Sequence, residues 1–115
     1  MSGDIVIEMR LHVMGIPPYK QAPADARERE NQKIRTDTLK REAKNHFRTP
    51  VSRGKVRLTI EYSRGKGKSD AANIIGGIAD ALNGITYRDD GQISEIHYRE
   101  KSENIDEYWI NVEEV

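Results

Sequence analysis

Asp70, Asn73, Gly77 and Asp80 recur at i, i+3, i+7 and i+10 within one predicted helix, placing two carboxylates and an amide on one side of it. Carboxylate oxygens are what hard divalent cations such as Mg²⁺ select, typically one or two from protein, with water and substrate phosphates completing the shell. Asp89 and Asp90, adjacent acids after Tyr87-Arg88, offer a second source of such oxygens. Acids in turns most often cap local backbone donors, and metal ligation is the alternative reading. Asp70 and Asp90 form one site only if the fold brings a helix start and a turn together. Just ahead of Asp70, residues 63–69 (Ser-Arg-Gly-Lys-Gly-Lys-Ser) set Arg64, Lys66 and Lys68 among small residues. Such a loop leaves backbone N–H groups open to a phosphate, though ordinary solvent loops look the same. It is not a P-loop, because no glycine stands at the required spacing before Gly67-Lys68-Ser69. His12, His46 and His97 share no metal-ligand spacing, which favours packing roles over zinc.

The elements that must position these groups follow from periodicity. Residues 5–14 alternate, with Ile5, Ile7, Met9, Leu11 and Val13 on one face, and predict a half-buried strand ended by Gly15-Ile16-Pro17-Pro18. From about Pro23 to Phe47 helix formers dominate, with a thin apolar stripe of Leu39, Ala43 and Phe47. Its beginning, about residues 21–33, is expected to be frayed or mobile. Val56, Leu58 and Ile60 mark a second strand. A second helix is expected from Asp70 to about Asn83, N-capped by Ser69 and packed through Ala71, Ile75, Ile78 and Leu82. Its Gly76-Gly77 pair costs about 1 kcal/mol per glycine relative to alanine, so a close approach is expected, by a symmetry mate or the sheet. Strands at about 92–100 and 106–114 are expected to pair as a hairpin around Asn104-Ile105-Asp106. The order β-α-β-α-β-β predicts an α+β fold: one small domain, residues 1–115, with a mixed sheet and two main helices.

Composition narrows the classes of function. At 115 residues one domain is the prior, since domains run roughly 100–200 residues. The absence of cysteine excludes disulfides, thiolate zinc sites and cysteine catalysis. No apolar run approaches the roughly 18 residues of a transmembrane helix, and Met1-Ser2-Gly3-Asp4 lacks the features of a signal peptide. A soluble, cytoplasmic protein is expected. The 19 basic and 19 acidic side chains cancel overall but not locally. Residues 1–68 hold 16 basic and 8 acidic groups, whereas 69–115 hold 3 and 11. A basic stretch followed at once by an acidic one suits a protein that holds a polyanion and a divalent cation together, while a mixed solvated surface is the plainer reading.

Four blocks then stand in a recognisable order. They are Ser69-Asp70-Ala71-Ala72-Asn73, Asp80-Ala81-Leu82-Asn83-Gly84, Tyr87-Arg88-Asp89-Asp90-Gly91-Gln92-Ile93, and a strand ending in Arg99 and Lys101. Together they resemble the RusA family of Holliday-junction resolvases of bacteria and their phages. That family carries an Asp-x-Asp-Asn segment, a lysine three residues after the Asn, an Asp-Ala-Leu, and an Asp-Asp-x-Gln-Val/Ile. The resemblance covers about a third of the chain, with all intervals matching, and the N-terminal part agrees in outline.

The resemblance implies a RusA-like fold and a homodimeric, Mg²⁺-dependent endonuclease, with Mn²⁺ able to substitute. Such an enzyme resolves four-way DNA junctions by paired nicks in recombination and repair, with no membrane and no organic cofactor. By position, Asp70 and Asp90 match the metal-holding catalytic carboxylates, and Asp89 and Asn73 match supporting positions. Arg64, Lys66, Lys68, Arg99 and Lys101 are the expected DNA contacts. Two departures stand out: Ala72 replaces the family's second Asp, and Gly76 replaces its motif lysine. Asp80 and Glu95 are candidates to supply the missing oxygen. The alternatives are a site with fewer protein ligands and more water, or a branched-DNA-binding dimer that has lost cleavage.

Overall fold

The computed structural model describes residues 10–47, 50–51 and 53–115. In chain order the elements are β1 (Leu11–Met14), α1 (Ala26–His46), β2 (Val56–Arg64), α2 (Ala71–Leu82), a 3₁₀ turn (Asp90–Gln92), β3 (Ile93–Ser102) and β4 (Glu107–Glu114). The α+β architecture with a mixed four-stranded sheet and two helices is therefore as expected. The expected first strand is seen from Leu11, and its residues 5–9 lie outside the described residues. The α1 helix is continuous from Ala26, with Asp25 accepting from the Glu28 N–H at 2.8 Å as its N-cap.

The sheet order is β1-β4-β2-β3, which overturns the expected hairpin. β4 runs antiparallel between β1 and β2, while β3 lies parallel to β2 on its other side. The reason lies in the connections. Between β2 and β3 the chain makes a full crossover through α2, the route that parallel neighbours require. β2 is also the best buried strand, with Val56, Leu58 and Ile60 wholly inaccessible. A central position protects both its edges, whereas a β3–β4 hairpin would push it outward. Alternation identifies faces but not neighbours, so the sequence could not separate the two arrangements.

Both helices cover one face of this sheet, and α1 packs on α2 and β1. The core joins Leu11 and Val13, Leu39 and Ala43, the inward residues of β2, Tyr108 and Ile110 of β4, and Ile74, Ile78, Ala81 and Leu82 of α2. The buried stripe of α2 is thus rotated from the expected one: Ile74 is core, and Ile75 is only partly covered. Asn83-Gly84 does end the helix, with Gly84 at φ 83°, a conformation that favours glycine.

Candidate active site

Asp70, not Ser69, caps α2: its carboxylate accepts from the Asn73 N–H at 2.9 Å. Its charge also suits the positive end of the helix. Asp80 lies near the other end of α2, about 15 Å further along the axis at 1.5 Å per residue. Asp80 and Asp90 both act electrostatically on Tyr87. Tyr87, buried, donates from its hydroxyl to the Ala79 carbonyl at 2.7 Å. Burial raises its pKa, and the charges of Asp90 and Asp80 raise it further. Asp89 takes the capping role: it accepts from the Gly91 N–H at 3.0 Å and forms a capping box with Gln92. Gln92 Oε1 accepts from the Arg88 and Asp89 N–H groups, both at 3.0 Å, and its Nε2 donates to the Val51 and Gly54 carbonyls. Asp90 is thereby held on a fixed turn while its own side chain makes no hydrogen bond or ion pair with any described residue. Among the described residues no group of three His, Cys, Asp or Glu side chains is gathered to hold a metal.

The two candidate replacement ligands are both engaged. Glu95 accepts from Arg57 Nε at 3.0 Å, on the sheet face away from the helices, and this hydrogen bond holds its carboxyl below the usual range. Asp80 pairs with Lys20, whose ammonium lies 3.2 Å away. Lys20 was not singled out from the sequence, and the only signal for it was the glycine pair. A Cβ on Gly77 would stand 2.5 Å from Tyr19 Cα and 2.7 Å from the Pro18 carbonyl carbon, so the close approach comes from the chain's own Pro18–Tyr19 backbone. This corrects the expected symmetry mate or sheet. A Cβ on Gly76 would lie 3.4 Å from Lys20 Cβ and Cδ. The Lys20 stem therefore crosses the helix at Gly76, and its N–H donates to the Asn73 carbonyl at 2.8 Å.

The basic loop is built differently from expectation. The N–H groups of Gly65, Lys66 and Gly67 do form an anion cradle, but the anion is the Asp106 carboxylate, at 3.0, 2.6 and 3.1 Å. The Tyr62 hydroxyl donates to the same group. Burial works to raise the Asp106 pKa, but these hydrogen bonds outweigh it and hold the carboxyl below its ordinary value. Arg64 is likewise spent inside the protein. It grips Glu100 with both Nε and Nη2, at 2.7 and 2.9 Å, and donates to the Gly67 carbonyl. Lys66 and Lys68 are left exposed, with no ion pair to a described residue. Arg99 and Lys101 line a cavity on the open sheet face together with Arg10, Glu61 and Trp109.

A family model described as Endodeoxyribonuclease RusA matches residues 17–113, from the turn after β1 to the end of β4. The chain belongs to the RusA family. A search of curated proteins returned no match. RusA-family proteins are Holliday-junction resolvases, nucleases that generally depend on divalent metal and bind branched DNA, generally as dimers. Against the RusA pattern, Ala72 is exposed on α2 and offers no oxygen, and the motif-lysine position, Gly76, is crossed by the stem of Lys20, whose ammonium pairs with Asp80. No helix among the described residues is long and apolar enough to cross a membrane.

Proposed function

We propose that this protein is a divalent-metal-dependent endonuclease that resolves four-way DNA junctions by paired nicks, acting as a homodimer. The observation that carries the reading is the presence of two exposed carboxylates, Asp70 on the cap of α2 and Asp90 on the Gln92-braced turn, inside a RusA-family chain. Their oxygen donors fit a hard cation such as Mg²⁺. When bound, such an ion supplies Lewis acidity at the scissile phosphate and an acidified water.

The chain's own residues do the rest. Asp70 and Asp90 hold the ion, Gln92 and Asp89 keep Asp90 in place, and Lys66 and Lys68 attract the phosphodiester backbone without reading sequence. In the homodimer each copy carries its own Asp70 and Asp90. Two-fold symmetry then presents two equivalent sites to a two-fold junction. The test is a nicking assay on a labelled junction with Mg²⁺, Mn²⁺ or EDTA, beside a gel shift. Asp90→Asn is expected to abolish metal-dependent nicking and leave junction binding intact. Loss of both in a folded protein would contradict the role given to Asp90. The exposed methyl of Ala72 favours a second reading, a junction-binding dimer without cleavage, which predicts binding with no nicks in any metal.

A further inference from the structure

A cavity of about 290 Å³ lies between the 16–21 segment, α1 and the loop that leads into α2. Its walls carry three cations, Arg35, Lys66 and Lys68, against one carboxylate, Glu28. Arg35 is built into the wall. Its Nη1 donates to the Tyr19 hydroxyl at 3.0 Å and to Glu28 at 3.3 Å, and its guanidinium lies over the Tyr19 ring. Tyr19 also hydrogen-bonds Glu28, so the single acid in the wall is engaged from two sides. Lys66 and Lys68 have no such partners among the described residues. Ser69, which lines the same cavity, has a hydroxyl that is shut off from solvent and makes no hydrogen bond to any described residue. A buried hydroxyl in that state is destabilising and calls for a partner.

We propose that this cavity is an anion site for a phosphate group of a nucleic-acid strand. Ser69 Oγ donates to a phosphate oxygen after a change of χ1 rotamer, and the Lys66 and Lys68 ammonium groups neutralise the charge. The loop amides take no part, because Asp106 already occupies them. Ser69 immediately precedes Asp70, so a strand anchored here is led past the metal-binding carboxylate. The inference rests on the reading of the chain as a junction-binding protein.

The decisive variant is Ser69→Ala, with binding to a four-way junction followed by fluorescence anisotropy in EDTA, where nothing is cut. Since Ser69 Oγ has no partner among the described residues, the variant should melt at the wild-type temperature or higher. Its dissociation constant should nonetheless rise on the order of ten-fold, the scale of one hydrogen bond to a charged group. Junctions with and without 5′-terminal phosphates separate the two sources of the ligand. A penalty that persists on 5′-hydroxyl strands assigns an internal phosphodiester, and one that vanishes assigns a terminal phosphate. Wild-type binding that Ser69→Ala leaves unchanged would overturn the cavity as a phosphate site. A wild-type chain that binds no junction would overturn the junction reading itself, and this site with it.

Discussion

Asp106 shows how one side chain can decide what a loop is able to do. Its carboxylate consumes three N–H groups that would otherwise face an incoming phosphate, and in doing so it fixes the loop that presents Lys66 and Lys68. Asp106→Asn turns an amide NH₂ toward those donors and is expected to destabilise the fold by roughly 1–3 kcal/mol, measured by urea denaturation. The same group makes stability depend on pH. Its folded pKa is below the ordinary carboxylate value, so its contribution is present above about pH 4 and is lost as pH falls through the folded pKa. Acid titration of the melting temperature should therefore show a decline below about pH 4 that is smaller in Asp106→Asn.

At the scale of the element, α2 carries two adjacent glycines that answer to different neighbours, and they should respond to substitution with opposite signs. A Cβ at position 77 meets backbone, Tyr19 N at 2.6 Å and Tyr19 Cα at 2.5 Å, which cannot yield without moving the 18–20 segment. Gly77→Ala is expected to cost about 1–3 kcal/mol, as overpacking does. At position 76 the neighbour is the flexible stem of Lys20 at 3.4 Å, an ordinary contact. Gly76→Ala should then stabilise by about 0.5–1 kcal/mol through helix propensity. Chemical denaturation of both variants checks the pair, and equal effects would remove the distinction drawn between the two neighbours.

For the molecule as a whole, charge is sorted by whether it has an internal partner. The open face of the sheet is laced with ion pairs, Arg57 with Glu95 and Glu113 and Arg10 with Glu61, beside His12 stacked on Trp109. Lys66 and Lys68, near the N-terminal end of α2, have no ion pair among the described residues. Junction affinity is accordingly expected to fall steeply with salt as counterions are released. Replacing Lys66 and Lys68 by alanine should make the slope of log K against log salt shallower by roughly 0.9 for each phosphate that is no longer neutralised. Arg64→Ala should instead act through stability, since that guanidinium is held by Glu100.

What could be read from the sequence follows from local rules. Alternation in β1, β2 and β4, the helix formers of α1, the Asn83-Gly84 stop and the spacing of the motif blocks are set by neighbours along the chain, and they were enough for element order and family. Strand partners are not local: the β2-α2-β3 crossover and the short passage from Ser102 to Glu107 over the end of β2 set them. The same holds for the site. Asp70 and Asp90 stand out as candidates by residue type and by their places in the RusA motif. Lys20 on Gly76, Asp106 in the loop cradle and Arg35 in the cavity wall do not stand out in the same way, because each meets a partner that local periodicity does not pair with it. Only packing in three dimensions decides which polar groups satisfy one another, and so which are left for a ligand.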